Sequence, residues 1–489
     1  MFALTERAAQ TSSQIRHEDM VNNLPDKEGR VKARKSAIFM QPVILHLDMN
    51  SYFASVLQQD NPQYRGKPLG VCEHLGGIII AASIEAKKWG IKTGTPVWEA
   101  KKLYPKIILT HTTAERFRFY TRRLIKLVSD YTSLVEVYSI DEVFLDITRT
   151  CNIRLRIEDD RLKGGNLNLK SGILNLPLAD PFEEAVKIAL EIKKRMKREV
   201  GDWLTCSIGI AENKTLAKIG SDLKKPDGLV VISNDKFQIS NEIINLKSEI
   251  LNLQKDDLYH RLKLTDIPGI GRRQEKNLNA LGIKTLRDLK NTPESLLWAR
   301  FGRIQGHHLY NLGQLDTTWK AGVKMEQEIK SVGHMYTLPM EFRKPEFFVP
   351  VLYKLCEMVG RRLRRKKLEG NIIHFYVWDK NYEGFGHSQK LGDYVSDGRE
   401  IFIEAMKIFE SIGPKGAWEF KLIGITVANL RAFTNQLSLF GHREDLRRVA
   451  EALDHINDKY GEFTIIRAPV IKAGKVFRDS VGFGRVKEL

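Results

Sequence analysis

Apolar residues first gather into a continuous run from Val43 to Leu47, closed by Asp48. A run of that length ended by polar residues reads as a buried β-strand. Two more strands are expected at Leu134 to Tyr138 and Val143 to Ile147, parted by a Ser139-Ile140-Asp141-Glu142 corner. Asp180-Pro181-Phe182-Glu183 opens a helix, with Asp as cap, Pro at the first position and Glu three residues after the cap. Ala185, Ala189, Ile192 and Met196 continue its apolar face. A strand around Leu204 to Ile210, a helix from about Asn213 to Leu223 and a Pro226-Asp227-Gly228 turn follow. This alternation describes an α/β unit. The stretch from Arg149 to Asp180 has no clear periodicity and reads as a surface insertion.

Leu264 to Gly271 starts a second unit, in which a Pro268-Gly269-Ile270-Gly271 turn precedes a helical pattern with Leu278 and Leu281. A third unit, about Glu328 to Phe433, holds strand-like runs at Ile372 to Trp378 and Lys421 to Val427. Within it Leu352, Leu355, Val359 and Leu363 share a helical face that ends in Arg361-Arg362-Leu363-Arg364-Arg365-Lys366-Lys367. Then comes Gln436-Leu437-Ser438-Leu439-Phe440, whose exposed Leu and Phe in polar surroundings need somewhere to dock. The segment Ala450 to Gly461 reads as a short helix ended by glycine.

Composition sharpens this picture. A chain of 489 residues exceeds one core and suggests three or four domains. No apolar run approaches the ~20 residues of a membrane span, so no membrane role is expected. Residues 1–40 have no signal-peptide core and read as a mobile tail on a cytoplasmic protein. The four cysteines are scattered, which supports neither a zinc site nor a disulfide framework. Lys plus Arg exceed Asp plus Glu by 78 to 60, and a charge of +18 favours a polyanionic partner.

Asp48, Asp141 and Glu142 are the candidate chemistry. Each ends or borders an apolar strand, where a buried carboxylate needs a counter-charge. If the strands are neighbours, the three converge, and hard oxygen donors in one place suit Mg²⁺ completed by substrate phosphates. The bland alternative is that they cap loops or pair with surface cations. Likewise the Gly269/Gly271 turn is either a phosphate-binding hairpin or a plain helix connection. The arginine run is either a polyanion contact or a structural C-terminus that complements the helix dipole.

Taken together, these motifs resemble the Y-family DNA polymerases, most closely the bacterial DNA polymerase IV branch. The resemblance rests on Leu47-Asp48-Met49-Asn50-Ser51-Tyr52-Phe53-Ala54-Ser55, Tyr138 to Asp146, Ser207 to Lys214 with Ala217-Lys218, and Lys225-Pro226-Asp227-Gly228. The hairpin turn and Lys330-Ser331-Val332-Gly333-His334 follow in the family's order. It implies an α/β multidomain right-hand polymerase with a ferredoxin-like palm (41–51 and 114–221, insertion 149–180), small fingers (52–113) and a helix-hairpin-helix thumb (222–320). An α/β little finger (328–435), a clamp-binding peptide (436–440) and an extension (441–489) complete it.

By the same resemblance Asp48, Asp141, Glu142 and the Met49 carbonyl would hold two Mg²⁺ ions for nucleotidyl transfer. Tyr52 and Phe53 amides, Lys87 and Lys214 would bind the nucleotide, and Phe53 would be the steric gate against ribonucleotides; otherwise Phe53 is a core aromatic. Where the family has Tyr-x-x-Arg, this chain reads Ile84-Glu85-Ala86-Lys87, which loses the bidentate fork, with Lys88 the neighbour placed to compensate. Gly269, Gly271, Lys330, Ser331, Gly333, Arg361, Arg362, Arg364 and Arg365 would contact DNA. Gln436, Leu437, Leu439 and Phe440 would dock on the sliding clamp. Gly76, Gly77, Ala81, Ala82 and Ser83 suggest a loose lid over the nascent pair, as suits lesion bypass.

The expectation is therefore a monomeric translesion DNA polymerase acting on primer-template DNA and dNTPs, with no proofreading segment. Its rivals are a non-enzymatic scaffold, which Ile84 and Lys87 favour mildly, and a two-metal nuclease, which has no use for a sugar gate.

Overall fold

The computed structural model describes residues 41–72, 77–110, 114–154, 180–234, 250–316, 329–379, 381, 383–412, 419–433, 443–461 and 463–476. The expected tail 1–40, Gly76, most of the insertion and the peptide 436–440 lie outside the described residues. Among the described residues no helix is long and apolar enough to cross a membrane.

Strand β1 (Ile44–Met49) leads into helix α1 (Tyr52–Asp60). A small unit follows: β2 (Leu69–Cys72), β3 (Ile79–Ala82), α2 (Ile84–Lys88), α3 (Val97–Leu103) and β4 (Ile108–Thr110), with sheet order β3-β2-β4. The chain returns through α4 (Ala114–Val128), β5 (Val135–Val137), β6 (Glu142–Asp146), α5 (Pro181–Glu199) and β7 (Cys206–Ala211). It continues with α6 (Lys214–Leu223), β8 (Leu229–Ser233) and β9 (Ile250–Gln254). The first sheet runs β5-β6-β1-β7-β8-β9, so β1 sits inside it, antiparallel to both β6 and β7. The expected thumb boundary at 222 shifts accordingly: β8 and β9 extend this sheet, and the helical unit starts at Lys255.

Both faces of the sheet are covered, which is why β1 reads as unbroken apolar sequence. Leu45, Leu47, Val143, Leu145 and Ile208 pack under α1, α4 and α5. Their alternates Ile44, Phe144, Ala211 and Val230 meet α6 and the following helices. Asp180 caps α5 as expected, accepting from the Phe182 amide at 2.8 Å.

Helices α7 (Lys255–Arg261), α8 (Arg272–Asn279), α9 (Leu286–Asn291), α10 (Glu294–Phe301) and α11 (Arg303–Gly313) form the second unit. The third combines β10 (Ser331–Thr337), α12 (Pro345–Arg365), β11 (Leu368–Asp379), β12 (Gly384–Val395), α13 (Gly398–Ile412) and β13 (Phe420–Ala432). Its sheet order is β10-β13-β11-β12, which leaves β10 as an edge strand. Helix α14 (Arg443–Tyr460) and a 3-10 segment (Ala468–Val476) follow, and Val470 and Ala473 are buried in this unit's core. The segment expected as a separate extension is, over these residues, part of the third unit.

Candidate active site and nucleic-acid surface

The register of β1 sets the site. Asp48 stands directly opposite Glu142, and cross-strand partners project to the same face. Asp141 occupies the corner between β5 and β6, clipped down because the Met49 amide donates to its carbonyl at 3.0 Å. All three acids thus meet at one end of the sheet, as expected. The corner is held from below. Thr121 Oγ1 donates to the Ile140 carbonyl at 2.6 Å, and the Tyr52 hydroxyl lies 2.7 Å from Thr121 Oγ1.

Burial pushes the Asp48 carboxyl up to about 7, against the pull of Lys225 and with help from Glu142 and Asp141. Burial likewise raises Asp141, where the Glu142 charge adds to it and the Ser139 hydroxyl opposes it at 2.5 Å. Glu142 behaves differently. Burial works against its charge, but His46 and Lys218 outweigh it and hold the carboxyl at about 2. Lys218 Nζ lies 2.7 Å from Glu142 Oε2, and the buried His46 Nε2 lies 3.6 Å away.

Among the described residues no three His, Cys, Asp or Glu side chains stand ready as a metal cage. The donors nevertheless fit a hard divalent cation. Two carboxylates whose charge the fold makes costly lie together, and Lys225 Nζ sits 2.8 Å from Asp48 Oδ2 as a cationic stand-in. Mg²⁺ is commonly held by one or two carboxylates plus substrate phosphates, so a preformed cage is not required.

Lys214 is not at this site, which corrects the expectation for it. It is buried, paired with Glu136 at 2.6 Å and lies over the Phe144 ring. Phe144 is two positions along β6 from Glu142, about 7 Å back from the carboxylate end. Lys218 and Lys225, further along the same segment, are the lysines that reach the acids. Lys225 is placed by the turn after α6: the Asp227 amide donates to Asn50 Oδ1 at 2.8 Å, and Lys193 Nζ donates to the Asp227 carbonyl, also at 2.8 Å. The signal was in the Lys225-Pro226-Asp227-Gly228 motif, and nothing in local periodicity ranked it above Lys214.

Lys87, on α2, feels the charges of Lys225 and Asp48; burial and then Lys225 lower its pKa. Tyr52 and Phe53 are buried in the first turn of α1, with Phe53 edge-on to Phe117 at 4.3 Å. Ala82 and Ser83 do not line a lid. Both are buried, and Ser83 caps α2 by accepting from the Ala86 amide.

The DNA-contact candidates separate. Gly269 and Gly271 are exposed on the hairpin before α8, and φ of +104° makes Gly269 a position suited to glycine. Lys330, Ser331 and Gly333 are exposed at the start of the edge strand β10. The arginines are a correction, because the fold already employs them. Arg364 pairs with Asp454 through two hydrogen bonds at 2.6 and 2.9 Å and donates to the Ser396 carbonyl at 2.8 Å. Arg361 and Arg365 both pair with Asp458, and Arg362 donates to the Gly333 carbonyl at 3.1 Å. Sequence gave no reason to join Asp454 and Asp458 to a run some 90 residues earlier.

Known proteins are similar to this chain over most of its length. A model described as impB/mucB/samB family matches residues 47–222, and that family's C-terminal domain matches 329–439. A model described as DNA polymerase-iota, thumb domain, matches 265–314. DNA polymerase IV of Pelotomaculum thermopropionicum is 30% identical over 449 residues, spanning 91% of this chain and 99% of the relative. DNA polymerase IV of Moorella thermoacetica is 31% identical over 431 residues, spanning 87% and 95%. In structure, a Y-family DNA polymerase chimera, Dbh-Dpo4(243-245)-Dbh, matches with a TM-score of 0.61 at 23% identity, covering 80% of this chain and 99% of that one.

Proposed function

The chain belongs to the Y-family DNA polymerases, in the DNA polymerase IV branch, and on that premise we propose that Asp48, Asp141 and Glu142 form its catalytic centre. Its activity is template-directed DNA synthesis of the translesion type, on primer-template DNA with dNTPs, and the family depends on divalent metal. The observation that carries the site is the pairing of Asp48 with Glu142 while Asp141 is clipped to Met49. Primer extension with Mg²⁺ tests it: Asp141→Ala should abolish extension, and pyrophosphate should be the released product. Extension by that variant at the wild-type rate would remove the assignment.

In this reading Asp48, Asp141, Glu142 and the Met49 carbonyl would hold the two Mg²⁺ ions. Bound divalent ions supply charge neutralisation at the attacking 3′-oxygen and the departing pyrophosphate. The chain's own part is alignment. Lys225 and Lys87 face the triphosphate, while Lys218 and His46 keep Glu142 ionised and oriented. Phe53 closes the sugar side, so Phe53→Ala should raise ribonucleotide incorporation; unchanged sugar selectivity would count against the gate.

Lys330, Ser331, Gly333, Gly269 and Gly271 hold DNA through its phosphates, supported by their exposure on the edge strand and hairpin. The clamp role of Gln436, Leu437, Leu439 and Phe440 stands on sequence alone. Their deletion should weaken clamp-dependent synthesis and spare distributive synthesis, and equal loss of both would refute it. A cytoplasmic monomer suits a bacterial-type enzyme of this kind; sedimentation in DNA-free buffer checks the oligomeric state.

A further inference from the structure

The fingers carry aromatic rings and lysines that the site above does not use. Trp98, on α3, is 69% exposed. Trp89 follows α2, is 53% exposed, and packs against Tyr104 with ring centroids 5.0 Å apart. Helix α3 buries Val97 and Ala100, and its outward face presents Trp98, Lys101 and Lys102 at i, i+3 and i+4.

An exposed apolar side chain alone needs no explanation. Here the company matters. Lys88, Lys92, Lys101, Lys102 and Lys106 are exposed, and none forms an ion pair among the described residues. Between Pro68 and Thr110 the described residues hold six lysines against two glutamates, and one of these, Glu85, already accepts from Gln58. The same small unit borders the carboxylate site, because Lys87 on α2 senses Asp48 and Lys225.

We propose that this face of the fingers is a stacking platform for single-stranded DNA, the unpaired template ahead of the nascent pair. Trp98 would take a base face, and Lys101 and Lys102 the backbone. Aromatic rings set among cations bind single strands without regard to sequence, since every base has a π-face. A polymerase copying varied or damaged template needs such tolerance. An acidic protein partner would engage the lysines equally, but it would not distinguish an overhang from blunt duplex. The inference rests on the polymerase reading above, and its test is kept separate from catalysis.

Binding is measured by anisotropy without divalent metal or dNTP, using primer-template with a 5′ dT overhang of about twelve nucleotides against blunt duplex. Trp98→Ala should weaken overhang binding roughly 5- to 100-fold and leave blunt-duplex binding unchanged. Trp98→Phe should restore it, and each of Lys101→Ala and Lys102→Ala should lower the salt slope by about 0.7. Wild-type overhang binding by Trp98→Ala, or equal loss on both substrates, overturns the platform. Asp141→Ala should bind the overhang normally. An inactive Asp141→Ala beside an unaffected Trp98→Ala sinks the platform alone; an active Asp141→Ala sinks the catalytic assignment alone.

Discussion

Two clusters of like charge, one acidic at the end of β1 and one basic at the end of α12, meet opposite fates in this fold. Arg361, Arg364 and Arg365 find their counter-charges inside the protein, on Asp454 and Asp458 of α14. Asp48 and Asp141 find only part of theirs. Lys225 reaches Asp48, yet both carboxyls remain pushed upward by burial and by each other. Charge density in sequence is similar evidence in the two cases. What separates a binding site from a staple is whether the compensating charge comes from outside or from the fold.

The sharpest way to break this contrast is to remove one member from each cluster. Asp141→Ala should cut extension on the order of 10³-fold or more, because a ligand to transition-state charge is lost. Its melting temperature in metal-free buffer should hold or rise, since a disfavoured charge goes with it. Arg364→Ala should do the reverse. The Arg364 side chain is 9% exposed and that of its Asp454 partner 15%, so Asp454 is left inside with only the longer 3.9 Å pair to Arg361. The unit should lose about 3 kcal/mol in denaturant unfolding. The salt dependence of DNA binding should stay as in wild type; a slope lower by about one unit would mean that Arg364 touches phosphate after all.

These two variants also show where sequence was sufficient. The carboxylates were legible because local apolar runs with an acid at the end carry both strand and charge, and pairing β1 with β6 needed only that they be neighbours. The arginine run was legible as charge but not as interface, because its partners come from α14, after β11, β12, α13 and β13 of the same unit. Ala82 and Ser83 failed similarly: small residues fit a roomy lid and a tight core equally well, and the fold puts them in the core.

A smaller effect separates two lysines of one segment. Lys225→Ala should raise KM for dNTP about tenfold while leaving unfolding nearly unchanged, because its side chain is 36% exposed and works on Asp48 and the site. Lys214→Ala should leave KM alone and lower stability, since it removes a cation 2.6 Å from Glu136, whose side chain is 6% exposed. The opposite split would restore Lys214 to the nucleotide.

The weakest effect, and the one that tests the acidic cluster without destroying it, is pH. The groups acting on Asp48 are Lys225, Glu142 and Asp141, and together with burial they leave its folded pKa near 7, above the 3.8 of an ordinary Asp. A carboxyl raised on folding binds its proton more tightly in the native state. Its contribution to stability is therefore present at low pH and lost as pH climbs from about 4 to about 7. Extension, which uses the ionised form, should climb around the folded pKa near 7, at the top of that window. Metal-free wild type should thus lose stability below the pH at which activity is gained, and Asp48→Asn should flatten that part of the stability curve. Saturating Mg²⁺ should flatten it as well and move the acidic limb of activity downward, because a bound cation favours the ionised carboxylate. If Asp48→Asn leaves the metal-free curve unchanged, the acids at the end of β1 are compensated from within like the arginines of α12, and the contrast between the two clusters fails.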